Sequence, residues 1–285
     1  MKILSTVREL QTFLDKLKLA PLGFVPTMGA LHEGHLSLVR TAADRSPLVV
    51  VSIFVNPTQF NDKNDLKNYP RDTEKDLEML KNVLRENDIV FTPAVVEIYP
   101  VEDKRVFSFG NLDRVMEAKH RPGHFNGVGQ VVSRLFDIVK PDFAIFGQKD
   151  FQQLAVIKEL VRQTGDKVKI ISHPIIREKD GLAMSSRNML LEPVIRKNAP
   201  VIFRTISSAA EMINANDIPE IKKFVYKQIN SVPDFDVEYF DISDDEELMP
   251  VNFKKEMKTG KKYFGCIAVK AGKIRLIDNI EIRLV

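Results

Sequence analysis

Through the first two thirds of the chain, short and nearly continuous apolar runs alternate with stretches whose apolar residues return every three or four positions. The runs Gly23 to Pro26, Leu48 to Val55, Ile89 to Phe91, Phe143 to Phe146 and Val168 to Ile171 are mostly β-branched or aromatic. Strands covered on both faces need that continuous apolar character. Between them, Thr73 to Glu86 sets Leu77, Leu80 and Leu84 on one helical face, and Val128 to Val139 and Phe151 to Gln163 share the period. Asp72 stands where an N-cap belongs, Lys140-Pro141 closes the second helix and Gly165 follows the third. Strand–helix alternation of this kind predicts an α/β fold, a Rossmann-like doubly wound parallel sheet. Ligands of such sheets bind at the loops leaving the carboxyl ends of the strands.

After Ile176 the rhythm changes. A polar turn at Asp180-Gly181 leads to helical stretches near Pro193 to Asn214 and Pro219 to Ile229. Val237 to Ile242, Tyr263 to Val269 and Ile274 to Ile277 then read as strands. This predicts a smaller C-terminal α+β domain, with residues 1–175 and 176–285 as the two domains. The acidic stretch Asp241 to Glu247 reads as a solvated loop.

The composition of the 285 residues, 44% apolar and 28% charged, excludes disordered and fibrous classes. With 42 basic against 39 acidic side chains the net charge is +3, and no basic stripe calls for nucleic acid or an anionic membrane as partner. The single cysteine, Cys266, leaves no thiol for an intrachain disulfide or a thiolate metal site, and its apolar surroundings read as core. Arg8 and Glu9 come before any apolar stretch of signal-peptide length. The most apolar segment, Leu48 to Val55, is far shorter than the ~20 residues of a membrane helix. The expectation is a cytoplasmic protein.

Chemistry concentrates at the strand ends. The first strand runs into Pro26-Thr27-Met28-Gly29-Ala30-Leu31-His32-Glu33-Gly34-His35, followed by the amphipathic stretch Leu36 to Ala43. A strand-to-helix turn offers backbone N–H groups and a helix dipole to phosphate. His32 and His35, three apart, can both donate to anionic oxygens. A zinc site would need a third ligand and the four-residue spacing of zincins, and neither is present; histidines that only cap the helix are the plainer alternative. At the second strand end, in Val55-Asn56-Pro57-Thr58-Gln59-Phe60, Asn56 and Gln59 either form a simple turn or Gln59 offers neutral donors and an acceptor to a small polar substrate. The charged stretch Asn61 to Asp72 lacks periodicity and is either a lid or a solvated loop. Gly147-Gln148-Lys149-Asp150 again precedes a helix start, without Walker A spacing. Asp180-Gly181-Leu182-Ala183-Met184-Ser185-Ser186-Arg187-Asn188 sets two hydroxyls beside a guanidinium, a compact phosphate grip. Arg121-Pro122-Gly123-His124-Phe125-Asn126-Gly127 is a further loop that either binds or shapes a turn.

PTMGALHEGH, FVNPTQF, RPGHFNGV, FGQKDFQQ and DGLAMSSRN, in this order and spacing, resemble the pantothenate synthetase family. His-Glu-Gly-His is similar to the HIGH signature of the nucleotidylyl transferases, and Met184 to Arg187 stands where that superfamily has its KMSKS loop. The resemblance implies that ATP and pantoate give pantoyl adenylate and pyrophosphate, and that β-alanine then yields pantothenate and AMP. It implies an ATP site made of Met28, Gly29, Ala30, Leu31, His32, Glu33, Gly34, His35, Gly147, Gln148, Lys149, Asp150, Ile176, Met184, Ser185, Ser186 and Arg187. His32, His35, Lys149, Ser185, Ser186 and Arg187 are implied as the catalytic set, with His35 as proton donor. Gln59 is implied as the contact for pantoate and β-alanine, and Gln153 for pantoate. Gln148 stands where many members have Glu. Mg²⁺ is implied on the phosphates, with its protein ligands unassigned, and a homodimer as the assembly. Two alternatives remain at this point: another nucleotidylyl transferase, disfavoured by the paired Gln59 and Gln153, and a non-catalytic RNA-binding relative, disfavoured by the charge pattern.

Overall fold

A computed structural model of the chain describes residues 1–17, 19–61 and 63–284. They form two compact units, residues 1–109, 121–148 and 156–174 in the first, and 110–120, 149–155 and 175–285 in the second.

The first unit holds a six-stranded sheet: β1 (Lys2–Leu4), β2 (Leu22–Thr27), β3 (Leu48–Ile53), β4 (Ile89–Phe91), β5 (Phe143–Gly147) and β6 (Lys169–His173). The strand order is β1-β4-β3-β2-β5-β6, and every pair is parallel. The chain therefore winds outward from β2 through β3 to β4 and returns to the other side of β2 with β5. The direction reverses between β2 and β5, where a doubly wound sheet places its ligand crevice. Val25, Val49, Val51, Val90 and Ile145 share one face with Leu36, Val39 and Ala42 of the helix Glu33–Ala43 and with Leu80 of the helix Thr73–Lys81. Phe24 points the other way and meets Phe136 of the helix His124–Val139 edge-on at 6.3 Å. Covering on both faces explains why the strands read as unbroken apolar runs.

The second unit is built on an antiparallel sheet, β7 (Phe235–Asp244), β8 (Tyr263–Ala271) and β9 (Ile274–Ile282), in the order β7-β8-β9. Ile202, Ile206 and Ala209 of the helix Val201–Met212, and Ile221, Val225 and Ile229 of the helix Ile218–Asn230, bury one sheet face with Ile267, Val269 and Leu276. Asp217 caps the latter helix at Ile218 N, and Glu220 reaches back to Asp217 N, a capping box.

Several expectations change. The segment 61–72 is not wholly irregular: Lys63–Asn68 is a short helix, and Asp62, also part of the expected loop, lies outside the described residues. The helix from Thr73 stops at Lys81, with Asn82 as its C-cap, short of Glu86. Pro200, lacking an N–H, divides the stretch from Pro193 into the helices Pro193–Asn198 and Val201–Met212. Asp241 to Glu247 is no solvated loop: β7 runs to Asp244, whose buried carboxylate accepts from the amides of Glu246, Glu247 and Leu248. Strand β9 runs past Ile277 to Ile282, paired throughout with β8. Cys266 is buried, and desolvation pushes its thiol pKa up, which suits a core residue.

One ion cluster fixes the helix His124–Val139 to the irregular chain before it. Asp103, whose side chain is 3% exposed, accepts from Arg105 Nε and Nη2 and from Arg134 Nε. Arg105 also reaches Ser133 Oγ, and Gln130 Nε2 donates to the carbonyls of residues 103 and 105. Hydrogen bonds from Arg105 lower the Asp103 pKa from 3.8 to about 2. A carboxylate whose folded pKa is depressed stabilises the native state above its unfolded pKa and loses that contribution as pH falls toward the folded value. Asp103→Asn is therefore expected to cost roughly 2 kcal/mol at pH 7, at about 1.4 kcal/mol per pKa unit. Urea unfolding at both pH values checks this: equal penalties at pH 7 and pH 2 would show that the charge is irrelevant.

Candidate active site

In the first unit, β2 ends in a turn held from several directions. Thr27 Oγ1 donates to the Ser52 carbonyl at 2.7 Å and accepts from Gly29 N at 3.3 Å. Gly29 (φ 78°) and Ala30 (φ 50°) both take the left-handed backbone, unusual for alanine, so something must hold the turn there. That something is Asp76. Its carboxylate, on the helix Thr73–Lys81 and 2% exposed, accepts from Ala30 N at 2.9 Å and Leu31 N at 2.7 Å. A Cβ on Gly29 would sit 2.9 Å from Asp76 Oδ2, so the glycine is needed for the approach as well as for the dihedral. Burial raises the Asp76 pKa, while the two amide donors pull it down.

The helix Glu33–Ala43 starts from this turn with His32 as N-cap, in extended backbone. His35 Nδ1 accepts from His32 N at 3.3 Å, and the two imidazoles lie 4.0 Å apart between centroids. Because Nδ1 accepts, the proton of a neutral His35 ring sits on Nε2, which makes that nitrogen the donor. The turn thus delivers a histidine N–H beside the amino end of a helix, at the carboxyl end of the strand flanking the switch point.

Gln59 lies beside the same turn. Its Nε2 contacts Met28 Sδ at 2.9 Å, and its Oε1 accepts from Asn56 Nδ2. Asn56, 1% exposed, also donates to the Gly127 carbonyl, and its Oδ1 takes Tyr99 OH at 3.0 Å and Thr58 Oγ1 at 3.1 Å. The segment Arg121 to Gly127, read as a loop from the sequence, already enters the helix His124–Val139 at His124, four residues before the expected start at Val128, and it braces Gln59 from behind. Arg121 Nη1 approaches His124 Nε2 at 3.1 Å, and His124 Nδ1 donates to the Gln59 carbonyl at 2.8 Å. A Cβ on Gly127 would fall 2.5 Å from Thr58 O, so only glycine fits. The first unit therefore brings Met28 to His35 and Gln59 together. It also adds Asn56, His124 and Asp76, which the sequence reading did not place in the site.

In the first unit β5 ends at Gly147, where added side-chain volume would meet open space, and Gln148 N donates to the His173 carbonyl. In the second unit Lys149 Nζ pairs with Asp150 at 3.2 Å. Gln152 is buried and fastens the segment 112–117 through Glu117 N, Leu112 O and Val115 O, which fixes the first turn bearing Gln153. Residues 176–184 form a tight hairpin: Met184 N donates to Ile176 O, Glu178 N to Leu182 O, and Arg177 bridges Ala183. Ser185 then caps a short 3₁₀ turn, its Oγ accepting from Arg187 N, with Ser186 buried. Asn188 Nδ2 ties this turn back to the Ala183 carbonyl. Ser185, Ser186 and Arg187 thus share one short, tied-down turn.

A doubly wound sheet with paired histidines on the turn after a switch-point strand is an α/β fold whose ligand crevice opens at that turn. The chain belongs to the pantoate–β-alanine ligase family, whose model matches residues 2–281. It is 52% identical over 282 residues to the pantothenate synthetase of Azobacteroides pseudotrichonymphae, covering 98% of this chain and 99% of that one. The crystal structure of pantothenate synthetase from Thermus thermophilus superposes with a TM-score of 0.91, at 41% identity and 99% coverage of both chains. A pantoate–β-alanine ligase from Francisella tularensis, complexed with β,γ-ATP and β-alanine, has a TM-score of 0.80 at 32% identity, covering 99% of this chain and 97% of that one. Among the described residues, no helix is long and apolar enough to cross a membrane.

Proposed function

We propose that the chain condenses pantoate with β-alanine at the expense of ATP, through pantoyl adenylate. A pantoate carboxylate oxygen attacks the α-phosphorus; the O–P bond forms as the bond to the β-phosphate oxygen breaks, and pyrophosphate leaves. The β-alanine amine then attacks the acyl carbon, forming the amide and releasing AMP and a proton. The observation that carries this reading, within a family whose members include that ATP and β-alanine complex, is the turn 28–35: its geometry makes His35 Nε2 a donor at a helix start suited to phosphate.

The residue roles follow position by position. Met28 to His35 hold ATP, with His32 and His35 against the phosphates. Gly147 to Asp150, Ile176 and Met184 to Arg187 complete the nucleotide site, and Lys149, Ser185, Ser186 and Arg187 offset charge on the departing pyrophosphate. Gln59 orients pantoate and β-alanine, and Gln153 orients pantoate. Neutral amides suit this task because a guanidinium on the attacking carboxylate would draw charge from the nucleophile. Gln153→Arg is accordingly expected to depress adenylation; normal single-turnover rates would count against the idea.

Mg²⁺ would come with the nucleotide. Among the described residues no group of three His, Cys, Asp or Glu side chains is disposed to hold a metal, whereas Mg²⁺ commonly rides on phosphate oxygens and water. The contacts divide between the two units rather than at the expected boundary near residue 175: Met28 to His35, Gln59, Gly147 and Gln148 belong to the first, and Lys149, Asp150, Gln153, Ile176 and Met184 to Arg187 to the second. A cytoplasmic homodimer completes the reading.

ATP–pyrophosphate exchange against a panel of small hydroxy acids tests the whole. Exchange is expected only with pantoate, and AMP release only once β-alanine is added. Exchange supported equally by unrelated acids would overturn the substrate assignment.

A further inference from the structure

Strand β9 carries two adjacent polar residues, Asp278 and Asn279, which are 4% and 2% exposed. Burying such a pair is costly unless both find partners. Successive strand residues point to opposite faces, and the two partners accordingly lie on opposite sides of the sheet.

Asp278 shares its face with Leu276 and Ile282, which join the core under the helices. Its carboxylate takes Arg177 through both terminal nitrogens, at 2.6 and 2.9 Å. The same guanidinium lies 3.7 Å over the Phe203 ring and donates to the Gly181 carbonyl at 3.2 Å. Arg177 is one half of the bridge closing the hairpin 176–184, so Asp278 grips the base of the hairpin that presents Met184 to Arg187. Asn279, on the other face with Arg275, donates from Nδ2 to the Lys149 carbonyl at 3.1 Å. On that face Arg275 holds Glu117 at 2.7 Å, and Phe151 packs on Phe264 at 4.5 Å. The segment 149–155 is thus seated on the sheet with Asn279 at its first residue.

We propose that Asp278 and Asn279 are positioning residues for adenylation, one dipeptide in a fully paired strand that fixes the two loops bearing the cationic groups for the triphosphate. This rests on the function proposed above and gives the C-terminal sheet a task in it. Charge stabilisation is effective when donors are preorganised, and a strand paired along its whole length is a stiff mount for them.

Double-mutant cycles on the full chain, read by pantoate-dependent ATP–pyrophosphate exchange, test the proposal. Asn279→Ala is expected to lower kcat about tenfold or more, a scale reached by small misplacements of catalytic groups. It is expected to leave the KM for pantoate and the aminolysis of supplied pantoyl adenylate unchanged. In a Lys149→Ala background, Asn279→Ala is expected to cost nothing further, because it acts only through Lys149. Asp278→Asn with Arg187→Ala carries the same expectation. Asn279→Ser, whose hydroxyl is too short to reach the carbonyl, serves in place of an alanine variant that does not fold. Additive losses in a cycle would overturn the proposal for that residue and leave the functional reading intact. Lys149→Ala with undiminished exchange would instead overturn the role of Lys149, and the proposal with it.

Discussion

His35→Ala is expected to lower the single-turnover rate of pantoyl-adenylate formation about 10²-fold or more, the scale of one lost transition-state donor. The expectation rests on which ring nitrogen is engaged. His35 Nδ1 is taken by the His32 amide, so Nε2–H is the end that can meet a phosphate oxygen. The same contact gives the residue a second role. It satisfies an N-terminal amide that the helix Glu33–Ala43 cannot, and its loss should cost stability on the order of 1 kcal/mol, typical of a helix cap. The roles separate in His35→Gln, since glutamine at the third helical position reaches back to the N-cap amide in ordinary capping boxes. Its melting temperature should return toward the parent while the adenylation rate stays low. Recovery of both together would mean that His35 is a cap and nothing more.

The helix-capping reading of the histidines and the phosphate reading were both open in the sequence, and the geometry shows that one ring can serve both. What the sequence displayed well were features set by local pattern. Four of the parallel strands, β2 to β5, announced themselves because both faces of each are covered, leaving no polar alternation, whereas the edge strand β6 is only partly buried. Asp72, Lys140 and Gly165 marked helix ends by chemistry that acts within a turn, and all three stand there. Hidden features depend on partners distant in the chain. Strand β1 is three residues long and pairs only with β4 at the sheet edge, so it has no period to read. Strand β9 seemed to end at Ile277 because Asp-Asn is a common turn signal. Only Arg177 and the Lys149 carbonyl, about 100 and 130 residues away, allow the pair to sit inside a strand. The segment 121–127 showed its glycines but not the purpose of Gly127, which is to let the helix backbone approach Thr58 and Gln59.

Asp76 was also hidden, although a signal was present. It lies four residues before Leu80 and eight before Leu84, a carboxylate on the apolar stripe of an amphipathic helix, where a charge needs a reason. The reason is the pair of amides at Ala30 and Leu31. Asp76→Asn is therefore expected to lower adenylation kcat roughly 10- to 100-fold, through misplacement of the turn and of the histidines it leads into. The substitution keeps size and helix propensity but leaves one acceptor for two N–H groups, and it turns an amide NH₂ toward the other. With that hold weakened, Ala30 no longer has cause to stay at φ 50°. Stability alone does not account for such a loss. Leu80→Ala on the same helix should destabilise by about 2–5 kcal/mol, as buried leucine truncations do, without touching either amide. Assayed well below both melting temperatures, Leu80→Ala should keep near-parental adenylation while Asp76→Asn does not. Equal losses in the two variants would show that helix packing, rather than the Asp76 carboxylate, sets the turn.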